Sequence, residues 1–289
     1  MNGSDGFDAY SVTARSGPHV TVQAGVMHLG RHWTTTTRES AKTASIRRSH
    51  RASATIGEGR RWRVVGGEAS VLDPGHLLSL AADPVATALA GGALLRLGLG
   101  RLDQLVGYAE AGTAVPVSFL PTGRVLLVTH IRHELVLDGD EVASATGRWD
   151  RNPIQINPAP WPDRRWEPTS TLANTPDEIG DLASGEGPAW LGVGTSAGSV
   201  ALPATWEPAT GHLRVSRPAL AAVAAELPGP VCVTLHDSDS RRPDQKMGVM
   251  LRGTGAVVDA GDTTASVALE IERVTYWCGF SSTTSGQAA

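Results

Sequence analysis

Ala201-Leu-Pro203-Ala-Thr205-Trp206-Glu-Pro208-Ala-Thr-Gly211-His-Leu213-Arg-Val215-Ser216 alternates apolar and polar residues, breaks between Pro208 and Gly211, and alternates again. That is the pattern of two antiparallel strands joined by a tight turn. An earlier stretch, Ala114-Val-Pro116-Val-Ser118-Phe119-Leu-Pro121-Thr-Gly123-Arg-Val125-Leu-Leu-Val128-Thr129, says nearly the same thing. With one residue inserted in the later turn, Ala, Pro, Pro and Gly coincide, and the other matches are conservative. The echo predicts two related barrel-like units in tandem, with a shared interface where a ligand can sit. A chance match between two Ala/Val/Pro-rich hairpins is the competing explanation.

Around the later hairpin the pattern is regular. Thr175, Pro176 and Glu178 open a short helix with a capping-box spacing. Trp190 to Thr195 reads as a strand, and Pro218 to Leu227 as an alanine-rich helix. Val231–Leu235, Lys246–Val258 and Ala265–Trp277 read as three further strands. Residues 175–281 thus give helix, three strands, helix, three strands. The earlier unit, residues 62–150, offers a strand at Trp62, helices after Asp73 and from Leu102 to Gly112, and a long strand from Val125 that turns at Asp138-Gly139. Between the units, residues 151–174 form a linker rich in Pro and Trp, expected to pack over one barrel. Residues 1–61, rich in Ser, Thr and Arg and lacking periodicity, are expected to be a disordered basic tail, with a start near Met27 as an alternative. Residues 282–289 are expected to be a second disordered tail.

Composition narrows the function. The chain has 289 residues, a formal net charge of -4 and 41% hydrophobic residues, enough for a packed core. An acidic balance argues against a nucleic-acid binder. No apolar run approaches the roughly 20 residues that span a bilayer, so no membrane partner is expected. Cys232 and Cys278 lack zinc-site spacing and read as buried free thiols of a cytoplasmic protein. His130 and His133 would point to opposite faces of a strand and cannot share a metal ion, so no metal site is expected. Among phosphate-loop, nucleophile-elbow and dinucleotide motifs, none is present.

The order of elements, with the hairpin ending at Trp206, the strand Met247-Gly-Val-Met-Leu-Arg252-Gly253-Thr-Gly255 and the ending Val274-Thr-Tyr-Trp277-Cys-Gly279-Phe280, resembles the split-barrel flavoprotein superfamily. This superfamily comprises the pyridoxamine 5'-phosphate oxidase-like proteins and their deazaflavin-using relatives of actinobacterial type. The resemblance implies a mainly β fold with short helices, a complete C-terminal split β-barrel and a partial, related N-terminal unit. It implies a homodimer or an intrachain pseudo-dimer, and a flavin- or deazaflavin-dependent oxidoreductase acting on a small molecule. FMN or F420 would be the cofactor. Haem held by one of His130, His133, His212 and His236 is an alternative, as is a non-enzymatic barrel that binds a small molecule or protein partner.

Family members bring a Ser or Thr at the end of the third strand, and a Lys or Arg in or just before the next helix. Ser216 and Arg217 occupy those places, with Thr129 and Arg132 as counterparts in the first unit. Thr205 and Trp206, with Lys246 and Arg252 on the strand beside them, would border the flavin ring. The helix Ala219–Leu227 departs from the pattern, since it carries no Lys or Arg.

Overall fold

Alternation of apolar and small residues builds two antiparallel sheets. The computed structural model describes residues 8–99, 102–150, 153–161, 175–237 and 243–286. The C-terminal sheet contains β9 (Gly187–Thr195), β10 (Gly198–Glu207), β11 (His212–Ser216), β12 (Gly229–His236), β13 (Met247–Ala260), β14 (Thr264–Cys278) and β15 (Ser281–Gly286). Its strand order is β11-β10-β9-β12-β13-β14-β15, and β11 also pairs with β14, which closes six strands into a barrel. Leu191, Val193, Leu202, Trp206, Leu213, Val233, Leu251 and Val267 fill the barrel completely. A six-stranded barrel of this size has room for its own side chains and little else.

The N-terminal sheet contains β1 (Asp8–Ala14), β2 (Gly17–Gln23), β3 (Gly25–His28), β4 (Arg31–Thr37), β5 (Arg51–Glu58), β6 (Arg61–Leu72), β7 (Arg124–Asp138) and β8 (Glu141–Thr146). Its order is β2-β1-β5-β6-β7-β4-β3, with β8 on the end of β7. Only Ala24 separates β2 from β3, so the two are halves of one bent strand. Taken together they give the same pairing scheme as β10, which bonds to β9 with most of its length and to β11 with its last residues.

The two units agree in register, residue by residue. Each first hairpin closes on a glycine, Ala14 opposite Gly17 and Thr195 opposite Gly198. Tyr10 pairs with Ala54 as Leu191 pairs with Val233. The β6–β7 register shifts between Gly66 and Gly67, and the β13–β14 register between Arg252 and Gly253. The glycine after each shift faces an isoleucine, Ile131 or Ile271, across the ladder. Neither position has room for a side chain: a Cβ on Gly67 would lie 2.0 Å from the His130 carbonyl oxygen, and one on Gly253 would lie 1.7 Å from that of Glu270. Counted from the end of the third strand to Arg51 and Pro230, which take equivalent places at the interface, the connecting segments 38–50 and 217–229 have equal length. Each carries one short helix, α1 (Ala41–Ser49) or the last helix α6 (Arg217–Ala222), capped by a serine hydroxyl: Ser40 accepts from the Thr43 N–H and Ser216 from the Ala219 N–H.

Two units per chain were legible, but the reason for them was not. Ala114–Thr129 is not a hairpin. It holds the end of one 3₁₀ turn, two further 3₁₀ turns and the first residues of β7, and β7 is the counterpart of β14 rather than of β10 and β11. The turns end an insertion between β6 and β7 that also carries α2 (Leu77–Ala82), α3 (Pro84–Leu99) and α4 (Leu102–Ala111). This insertion packs on Trp33, Leu72, Leu126 and Val128 at the outer face of the sheet. The basic segment expected to be disordered supplies β1 to β5 and α1, and Met27 lies within β3. Residues 282–286 of the expected C-terminal tail belong to β15. Of the Pro/Trp linker, residues 151–152 and 162–174 lie outside the described residues. Residues 153–159 pack on the C-terminal barrel, where Ile156 is buried among its apolar side chains. α5 (Asp177–Ser184) precedes that barrel and is capped at Pro176 without a side-chain bond.

The units pack through β1, β2 and β5 against β9, β10 and β12, and the contacts are reciprocal. The Thr55 hydroxyl donates to the Ala201 carbonyl (2.5 Å), and that of Thr234, its counterpart, to the Val20 carbonyl (2.9 Å). Gly17 lies against Pro230 just as Gly198 lies against Arg51. Trp62 meets Trp190 edge to face at 5.1 Å. A pseudo-twofold axis therefore relates the units, in the manner of an isologous dimer interface.

Candidate functional site

At register-equivalent positions the C-terminal barrel and the partial N-terminal unit carry different chemistry inside. Leu191, Val200, Leu202, Leu213, Val215 and Leu269 of the C-terminal barrel correspond to Tyr10, His19, Thr21, Thr34, Thr36 and Thr129 of the N-terminal unit. Trp206 corresponds to Gly25. The space its indole would fill belongs instead to a buried pair, Asp8 and His32, bonded at 2.8 Å. A Cβ on Gly25 would come within 2.1 Å of the Asp8 carboxylate. Tyr10 stacks on His32 and shares a hydrogen bond with Thr129 (3.0 Å), and its burial raises the phenol pKa.

Around the bend at Ala24, residues 21–28 are all half-buried, which leaves this stretch of the wall partly open. Lys42, in the first turn of α1, reaches this opening and donates to Thr21 Oγ1 (3.0 Å) and Gln23 Oε1 (2.6 Å). From the other unit, Arg252 extends off the outer face of β13 and donates to Nδ1 of His19 on the same strand, β2. Burial is the main cause that brings Lys42 down to about 7, with Arg124 adding to it. Burial, then Arg252 and Lys42, push His19 to about 3, so its ring is neutral and accepts the Arg252 bond. Burial also holds Arg252 below its usual pKa, and Arg273 beside it acts in the same direction. Among the described residues neither Lys42 nor Arg252 forms an ion pair with a carboxylate. Two desolvated cations from opposite units thus converge on one strand. Nearby, the buried Gln23 Nε2 and His32 Nδ1 have no hydrogen-bond partner among the described residues.

Of the residues singled out in the sequence, only Arg252 belongs to this cluster. Ser216 is committed to the fold: it caps α6 and donates to the Asp140 carbonyl (2.5 Å). Arg217 donates to the carbonyls of Gly261 (2.9 Å) and Ile156 (3.2 Å). Trp206 is wholly buried inside the barrel, its indole N–H on the Ala183 carbonyl, and so cannot border an external ring. Thr205 is half-buried on β10, opposite Pro188 and Arg214. Thr129 lies in the N-terminal interior. Arg132 is exposed and paired with Glu68 (3.3 Å). Lys246 lies just before β13, where its carbonyl accepts from the Gly279 N–H. Cys278 is exposed rather than buried. Among the described residues no group of His, Cys, Asp or Glu is arranged to hold a metal ion, and no helix is long and apolar enough to cross a membrane.

Lys42 lies in the segment expected to be disordered, where no strand or helix pattern points to it. The signal was present: Ser40-Ala-Lys42 puts a lysine in the helix after the third strand, where Ala219–Leu227 of the second unit carries no Lys or Arg.

No family model matches the sequence, and no curated protein does. Similar solved structures include a conserved hypothetical protein from Mycobacterium tuberculosis, at 20% identity over 47% of this chain and 78% of that one, TM-score 0.32. A pyridoxamine 5'-phosphate oxidase-related, FMN binding protein from Nostoc punctiforme is 13% identical over 47% of this chain and 76% of its own, TM-score 0.32. An F420 reductase is 15% identical over 44% and 87%, TM-score 0.29. These likenesses assign no role to any residue.

Proposed function

We propose that this chain binds a phosphate-bearing flavin or deazaflavin, FMN or F420, where β2 and α1 of the N-terminal unit meet β13 of the barrel. It would use the cofactor as a redox group toward a small-molecule substrate. The observation that carries this reading is the convergence of Lys42 and Arg252 on β2 without a carboxylate. Desolvating a cation costs free energy unless an anion compensates, and a phosphate supplies both the charge and the acceptor oxygens. The donor set therefore fits the group. Lys42 and Arg252 would hold the phosphate, while Gln23 Nε2 offers a further donor. The bound flavin supplies the hydride chemistry, and the protein's part is to hold and orient it. A catalytic triad is not required.

The test is the absorbance spectrum of the purified chain, followed by thermal unfolding with FMN, F420 or haem added. A flavin or deazaflavin spectrum, or a rise of several degrees with FMN or F420, is expected, since a ligand at a hundred times its Kd adds about 2.7 kcal/mol. A rise with haem alone, or with none of the three, would contradict the reading.

A further inference from the structure

A pseudo-twofold chain ought to carry the cationic site twice, once on each side of the axis. The register locates the second copy. The counterpart of His19 is Val200, that of Arg252 is Gly66, and that of Lys42, five residues after the end of the third strand, is Ala221. Thr21 and Gln23 become Leu202 and Ala204. Every polar contact of the first site is replaced by an apolar or small residue in the second.

The second position is also filled by the chain itself. Trp149, in the 3₁₀ turn Gly147–Asp150, lies against Gly66: a Cβ there would meet the indole at 3.2 Å and the His133 ring at 2.6 Å. Trp149 and His133 meet edge to face at 4.4 Å, and Trp149 is only 3% exposed. Residues 153–159 continue across α6. The Ile154 N–H donates to the carbonyl of Ala221, the counterpart of Lys42, and the Ala159 N–H to that of Val257. Ile156 is buried, and its carbonyl accepts from Arg217. The arginine expected to hold a phosphate holds this segment instead.

We infer that the chain is a single-chain dimer with one ligand site: the second, pseudo-equivalent site has lost its cations and is closed by Trp149 and residues 153–159. One phosphate-bearing ligand binds per chain, between α1 and β13, and the C-terminal barrel contributes Arg252 while serving otherwise as scaffold. This rests on the function proposed above, which names the ligand.

Calorimetric titration of the ligand-free full chain with FMN, and separately with F420, tests it. One equivalent per chain is expected for the ligand that binds. Lys42→Met should weaken that binding at least tenfold with unchanged circular dichroism, while Ala221→Ser leaves it within twofold. Should Lys42→Met fail to fold, Arg252→Gln serves in its place with the same expectation. Two equivalents per chain, or one equivalent that Lys42→Met and Arg252→Gln leave at wild-type affinity, would overturn the single-site inference while leaving cofactor binding intact. Failure of wild type to bind either cofactor would overturn the proposed function, and this inference with it.

Discussion

Thr55 and Thr234 make the same hydrogen bond from opposite sides of the interface, each hydroxyl donating to a carbonyl on the second strand of the other unit. Both side chains are fully buried. Valine fills the same volume at either position but leaves the carbonyl without its partner. Thr55→Val and Thr234→Val should each lower stability by about 1 kcal/mol, and by up to about 3 if the orphaned carbonyl stays dry. Urea titration of both variants checks this. A loss at one site only would show that the two contacts are not equivalent.

The glycines after the two register shifts give a sharper test of the repeated architecture. Gly67→Ala and Gly253→Ala would each drive a methyl group into backbone carbonyl oxygen. Each should cost about 3 kcal/mol or more, at the upper end for overpacking. Among the described residues nothing lies within 4 Å of where a Cβ on Gly91, within α3, would sit, and Gly91→Ala should gain about 0.5–1 kcal/mol. Thermal melts of the three variants distinguish these outcomes.

His133 is buried against Trp149, with Arg148 and Arg51 adding to the effect of burial, and titrates at about 4 when folded. His19 titrates at about 3 when folded. Both bind a proton at about 6.5 in the unfolded chain, so below that pH the unfolded state holds more protons. Stability should be fully present above pH 6.5 and fall as the pH drops toward 4. His133→Phe should flatten part of that slope in urea titrations between pH 4 and 7.

Ligand binding should show the opposite dependence. Lys42 is a cation only below about pH 7 in the free protein, and a phosphate would favour its charged form. Affinity for the phosphate-bearing cofactor should therefore fall as the pH rises above 7, by as much as tenfold per unit. Titrations at pH 6.5, 7.5 and 8.5 check the slope, which should vanish in Lys42→Met.

The C-terminal barrel was legible because its interior is apolar: Val193, Leu202, Val215 and Val233 alternate with polar or small neighbours and announce strands. The N-terminal unit hides the same strands. Where its interior residues are Tyr10, His19, Thr21, His32, Thr34 and Thr36, alternation in polarity disappears, and Arg31-His-Trp-Thr-Thr-Thr-Thr37 looks like unstructured chain. Two of the residues that conceal the strands, His19 and Thr21, are those that meet Arg252 and Lys42. Arg252 was found through the motif of its strand, and Lys42 was lost with the segment. The commitments of Ser216 and Arg217 to backbone carbonyls depend on residues 140, 156 and 261, which no local pattern connects to them.

The most direct test of the central claim is the affinity of the ligand-free chain for FMN and F420 in wild type, Lys42→Met, Arg252→Met and Arg217→Ala. Loss of one charge-assisted contact is worth roughly 1.5–3 kcal/mol, about ten- to hundredfold in Kd. The account predicts such losses for Lys42→Met and Arg252→Met, and an Arg217→Ala affinity within twofold of wild type. A Kd that rises with Arg217→Ala and stays put with Lys42→Met would contradict it, and would return the phosphate to the C-terminal barrel's own helix.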